Sequence, residues 1–184
     1  MASVSDAVAA QTDLATIYRL VKDQFTSRLG DDLTFLVALH DKAKAQIILP
    51  YAYDDGQELT NLAPFAFGEG FSSHIISTGQ PILVTKDIEK VKSQLGSKTL
   101  GKSALCLVGV PLSIGGTVIG AILLQDNKKE ERFNNDDLHL LSTVSIPIAN
   151  AIHNAQLVSE LQHNLSAYTQ EHYLLNTLLE NIPG

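Results

Sequence analysis

The amino-acid sequence predicts an α+β domain: a central antiparallel sheet of about six strands, helices on both faces, and a long coiled-coil helix at the C-terminus. Three observations carry this. Two pairs of apolar runs, rich in β-branched and aromatic residues, are each joined by a short turn, which is the pattern of two hairpins. Between the pairs lie two short helical segments punctuated by Gly, Pro and Asp. At both ends of the chain apolar residues recur at three- and four-residue steps, the spacing of one helix face.

From Asp6 onward Leu14, Ile17, Tyr18, Val21 and Phe25 share a helix face that Gly30 terminates. Leu33 to His40 and Ala45 to Tyr53 form the first hairpin around Asp41 to Lys44. Asp54-Asp55-Gly56 opens an ordered loop or short strand reaching Phe67. Gly68-Glu69-Gly70-Phe71 leads into a short helix that Gly79 closes in a left-handed cap and Pro81 forbids to continue. Ile82 to Thr85 is a short strand, and Asp87 is placed to cap another short helix. Ala104 to Leu112 and Val118 to Leu124 flank Gly115-Gly116, whose positive φ angles suit a tight turn. Both runs are apolar at consecutive positions, so this hairpin belongs mid-sheet with both faces covered. Asn135-Asp136-Asp137 starts the closing helix, with carboxylates near the positive end of its dipole. Leu138, Leu141, Val144, Ile148 and Ile152 trace its inner stripe.

Composition bounds the function. The 184 residues, 45% apolar and 18% charged, suffice for one sizeable core plus helical arms. The expected division is an N-terminal helix (1–30), a core domain (31–156) and a signalling helix (157–184). A net charge of −7 argues against nucleic acid and anionic membranes as partners, since both require clustered cations. Cys106 is alone, so neither an internal disulfide nor a thiolate-rich metal site is expected, and a cytoplasmic setting suits it. No apolar stretch approaches the roughly 18 residues of a membrane span. The ending Asn181 to Gly184, on turn residues straight after a helical pattern, reads as a cut within a longer protein.

The segment Gly68-Glu69-Gly70-Phe71 through Thr78-Gly79-Gln80-Pro81-Ile82, with Asp87, resembles the middle motif of the GAF domain family. Val110-Pro111-Leu112, Gly116, Val118-Ile119-Gly120 and Leu123-Leu124 resemble that family's late strand pair. Phe133, Asp137, Leu140-Leu141 and Ala149 to Leu157 resemble its closing helix. The resemblance covers roughly residues 14 to 157 and implies a small-molecule-binding or dimerising regulatory module. It also implies a pocket between one sheet face and the two short helices. The candidate walls are Tyr51, Phe65, Phe67, Phe71, His74, Ile75 and the central hairpin with Cys106. Filled core is the bland reading of the same aromatics.

The family's cyclic-nucleotide motif is matched by Asn127-Lys128, Phe133 and Asp137, but Leu138 replaces its Glu. Turn closure, packing and capping account for all four matches. Bilin attachment in related photoreceptors needs Cys followed by His, and Leu107 follows Cys106. The family's reductase branch, which acts on methionine sulfoxide, needs a resolving thiol that a lone Cys106 lacks. Haem ligation would rest on a single histidine, His40, His74 or His153, a poor signal. No cofactor, metal site or catalytic residue is therefore assigned. Lys86, Lys90, Lys92, Lys98 and Lys102 read as a solvated helix and loop.

Beyond Gln156 the stripe narrows to Val158, Leu161, Leu165, Tyr168, His172, Leu175, Leu179 and Ile182, a heptad seam that needs a partner. A parallel homodimer is expected through this seam, helped by Ile17 and Val21 of the first helix. The leading reading is a sensor module of a multidomain signalling protein, relaying an unidentified small molecule through the dimeric helix to a downstream output domain. The alternatives are a ligandless dimerisation module and a cyclic-nucleotide binder.

Overall fold

The two expected hairpins form side by side and share one sheet. The computed structural model describes residues 4–96 and 102–183. Strands β1 (Thr34–Asp41) and β2 (Gln46–Asp54) make the first hairpin, and β6 (Cys106–Ile114) and β7 (Thr117–Asp126) the second. β1 pairs with β7 and so joins them. Short strands β3 (Gln57–Leu59) and β4 (Phe65–Ala66) both pair with β2, and β5 (Ile82–Val84) pairs with β6. The order is β3-β2-β1-β7-β6-β5, every pairing being antiparallel. Gly115 and Gly116, at φ 54 and 81, make the two-residue turn between β6 and β7.

Side chains alternate along the strands, and both faces are covered. Helices α1 (Val4–Leu29) and α4 (Asn135–Glu180) cover the face that carries Phe35, Val37, Val108 and Leu124, adding Tyr18, Phe25, Leu141, Ile148 and Ile152. Helices α2 (Gly70–Thr78) and α3 (Ile88–Leu95) cover the other, with Phe71, Ile75 and Ile88 against Ile47, Leu107 and Leu123. This double covering is why the strand runs are apolar at consecutive positions. Fully burying a side chain such as Phe25 contributes about 1.5–3 kcal/mol, so α1 belongs to the core and is no loose arm.

Local chemistry sets the helix ends. Gly79, at φ 65, returns its N–H to the Ile75 carbonyl at 2.8 Å, the expected cap. Asp87 departs from expectation: it precedes α3 in a left-handed conformation and makes no side-chain cap bond. For α4 the cap is Asn134, whose side chain accepts the Asp136 and Asp137 N–H groups at 2.8 and 3.2 Å. The Asp137 carboxylate accepts the Asn134 N–H at 2.8 Å in return, completing a capping box. Asn134→Ala is expected to cost about 1 kcal/mol in urea unfolding. Helix α4 runs unbroken across the boundary expected between residues 156 and 157. Among the described residues, no helix is long and apolar enough to cross a membrane.

Candidate functional site

On the face covered by α2 and α3, the layers do not close completely. A cavity of about 110 Å³ remains between Leu36, Ala38, Leu49 and Leu123 of the sheet, Phe65 of β4 and the first turn of α2, Gly70 to Ser72. It adjoins a more open cleft of about 370 Å³, whose walls also include Leu36, Leu49, Phe65, Lys102, Ala104 and Gln125. The outer cleft adds Leu59 and Leu62 on its apolar side and Thr34, Asp54 and Asn127 on its polar side.

Of the candidate wall residues, Phe65 and Phe71 line the cavity. Ile75 is instead spent on holding α2 flat against the sheet. A Cβ at Gly109 would lie 2.6 Å from Ile75 Cδ1, so the glycine is the seat for that side chain. Phe67 stacks on His40 at 3.9 Å, and neither it nor half-buried His74 is among the cavity walls.

Two expected wall residues lie on the opposite face. Tyr51 belongs to the α1 and α4 side, 5.7 Å from the Tyr18 ring, its hydroxyl donating to Glu58 at 2.9 Å. The cause is a β-bulge: Val37 opposes Tyr51 and Leu39 opposes Ile48, so Leu49 and Pro50 together face Ala38. The extra residue shifts the alternation, so that Leu49 stays on the cavity side while Tyr51 crosses over. Cys106 lies with Val108 and Val110 on the side covered by α1 and α4, fully buried, its thiol donating to the Lys129 carbonyl at 3.2 Å. Burial pushes that thiol up, away from a reactive thiolate.

The reading of the lysines as a solvated face fails at Lys92. Its side chain lines the cavity, and the residue is only 6% exposed. Lys92 Nζ donates to Glu89 at 2.8 Å and to Ser103 at 3.0 Å. The signal was present in the spacing, because Lys92 stands four residues after Ile88 and between Val91 and Leu95 on the inward face of α3. Lys86, Lys90 and Lys102 are exposed, and Lys98 lies outside the described residues. Lys102 binds Asp54 at 2.8 Å at the cleft. Burial works to raise the Asp54 carboxyl, but hydrogen bonds from Lys102 and Thr34 hold it below the ordinary carboxylate range. Lys92 and Ser103 hold Glu89 low in the same way.

Three of the cyclic-nucleotide motif residues have structural duties, and Asn127 lines the outer cleft. Phe133 is buried between the sheet and α4, Asp137 closes the capping box and pairs with Arg28, and Lys128 binds Asp55 at 2.8 Å. Among the described residues, no group of three or more His, Cys, Asp or Glu side chains is placed to hold a metal.

A family model described as GAF domain matches residues 11–153. The chain belongs to the GAF domain family. The matched residues take in every described strand, while α1 begins before the matched span and α4 extends beyond it. Several solved structures are similar. A methyl-accepting chemotaxis protein fragment aligns with a TM-score of 0.65 at 15% identity, covering 83% of this chain and 97% of that one. The GAF domain of an Acinetobacter phosphoenolpyruvate-protein phosphotransferase gives 0.62 at 14%, covering 79% and 93%. A type II free methionine-R-sulfoxide reductase from Thermoplasma acidophilum gives 0.61 at 18%, covering 79% and 96%. At these identities the likeness shows the shared fold alone. No curated protein matches the sequence.

Proposed function

We propose that this GAF domain is the regulatory sensor module of a larger signalling protein, binding a small molecule beside Phe71 and relaying its presence through a paired α4. The observation that carries the reading is the cavity itself, walled by apolar side chains with one buried cation, Lys92, and opening into a larger cleft. Such an arrangement suits a ligand with an apolar body and a polar end. A buried Cys106 thiol whose ionisation is disfavoured supports a binding role over thiol chemistry.

Thermal unfolding against a panel of small metabolites, cyclic AMP and cyclic GMP included, tests this. A ligand bound only by the folded state at 100 times its Kd adds about 2.7 kcal/mol, a readily measured rise in Tm. Ala104→Leu, which fills the space shared by cavity and cleft, should remove the rise. The small enclosed volume, about 110 Å³, favours the second reading, a ligandless dimerisation module. That reading stands if no panel member stabilises the domain and dimers persist.

Pairing is supported by the seam. Leu161, Leu165, Tyr168, Leu175, Leu179 and Ile182 are all exposed in the single chain, Leu161 at 61% and Leu179 at 65%. The seven-residue phase runs back from Leu165 through Val158 to Ala151. There a groove of about 230 Å³ brings α4 beside Leu14 and Ile17 of α1. Val21, like Ile17, is partly buried against the core of its own chain, so α1 would flank the pairing more than form it. Sedimentation at tens of micromolar should show a dimer, and Leu165→Asp with Leu175→Asp should give monomers without loss of the domain's fold. A monomeric wild type would sink the relay.

A further inference from the structure

The cavity beside Phe71 has two chemically different ends. At the end that the outer cleft does not share, Gly70, Phe71 and Ser72 of the first turn of α2 form the wall. Their backbone N–H groups find no acceptor among the described residues, and Glu69 before them makes no side-chain cap bond and is not a cavity wall. Ser72 is 8% exposed, and its hydroxyl has no partner among the described residues, yet unlike that of Ser73 it is not sealed from accessible space. Lys92 adds a buried cation at the same end, while its partner Glu89 stands outside the cavity, largely exposed. Lys102 stands at the junction with the cleft. Among the described residues no carboxylate lines the inner cavity, whereas Asp54 lines the cleft.

Unpaired N–H groups at a helix start, the positive end of its dipole and a nearby cation all favour a negatively charged ligand group. The Ser72 hydroxyl adds one more donor to the same spot. Asp54 repels that charge from the cleft end, which sets the direction in which a ligand lies. Glu89 and Asp54 already pair with the two lysines, so one negative charge is favoured over two. The remaining walls are apolar, Ala38, Leu49 and Leu123 inside and Leu59 and Leu62 in the cleft, and an inorganic anion would leave them uncovered. From these observations we infer that the cavity takes a monocarboxylate with an apolar tail. The carboxylate meets the first turn of α2 and Ser72, and the tail runs past Leu49 and Phe65 toward Leu59 and Leu62. This ligand class rests on the reading of the cavity as the sensor's site.

Hexanoate is the probe, and 1-hexanol, with the same tail and no charge, is its control. Both are titrated into the full chain at neutral pH while backbone amide shifts are recorded. The expected result is saturable shifts of Phe71, Ser72, Ala104 and Leu123, with hexanoate binding about tenfold more tightly than hexanol. Ser72→Ala should weaken hexanoate about tenfold, the loss of one charge-assisted hydrogen bond. Lys92→Met should narrow the preference for hexanoate over hexanol. Because Lys92→Met also releases Glu89 and can cost stability, Ser72→Ala, which removes a single oxygen, carries the decision. If hexanol binds these amides as tightly as hexanoate, the carboxylate class is overturned and the sensor site stands. If neither probe shifts them at millimolar concentration, or if hexanoate shifts gather elsewhere, the class is overturned and the sensor reading is decided by its metabolite panel. A change of less than about twofold on Ser72→Ala overturns it equally.

Discussion

Gly120→Ala is expected to destabilise the domain by about 3 kcal/mol or more, because the added methyl has nowhere to go. Gly120 lies in β7 opposite Leu39 of β1 and Leu112 of β6. An added Cβ would stand 2.2 Å from the Ala38 carbonyl oxygen and 2.7 Å from Leu39 Cδ2. The first of these is backbone, and β1 is hydrogen-bonded on both sides, to β2 and to β7, so it has no room to retreat. Gly109→Ala is the informative comparison. There the nearest atom is the flexible end of Ile75, at 2.6 Å, which can rotate away at a smaller cost of about 1–2 kcal/mol. Urea midpoints at constant slope should therefore fall further for Gly120→Ala than for Gly109→Ala. Equal midpoints would contradict the close approach of β1 and β7.

The same two strands show how far the sequence could be read. Both main hairpins, the glycine pair at the turn of the second and the Gly79 cap were legible, because each is a local pattern with a local cause. Asp55-Gly56 carried a turn signal as well: both residues have positive φ, and they join β2 to β3 in a third hairpin, the short-strand alternative of the two expected there. Registers were harder. The family resemblance put Tyr51 on the cavity side, and this fails because the bulge at Leu49 and Pro50 inserts a residue into the pairing. Nothing in β2 alone states where a partner strand will omit a residue. Cys106 was misplaced for a similar reason, since a run that is apolar at every position does not say which of its faces meets which helices. Lys92 failed in the other direction. Its charge outweighed its position, although Ile88, Val91 and Leu95 around it marked the inward face of α3. The length of α4 was legible as two successive stripes, but only the backbone shows that they form one 46-residue helix.

Arg132→Met should be the second severe substitution, at about 3–5 kcal/mol, because it strands a buried carboxylate. Arg132 lies in the loop before α4 and binds three groups from distant parts of the chain. Its guanidinium donates to Asp126 at the end of β7, to Asp32 and to the Leu29 carbonyl at the end of α1. Asp126 is fully buried, and its carboxylate also accepts the Lys128 and Lys129 N–H groups at 2.7 and 2.9 Å. Removing the cation leaves that charge without its main partner, whereas Arg132→Met with Asp126→Leu removes both charges and should recover much of the loss. Acid sensitivity separates the electrostatic cause from lost packing. Burial works to raise the Asp126 carboxyl, yet Arg132 and the two N–H groups outweigh it and hold the carboxyl below its ordinary value. A carboxyl depressed in the folded state contributes stability that is present above its unfolded pKa, about 4, and is lost as pH falls through the folded value. The wild type should therefore lose stability on acidification below about pH 4 through this group, and the double variant should lose less. Parallel pH profiles for the two would mean that Arg132 holds α1, β7 and α4 together by packing alone.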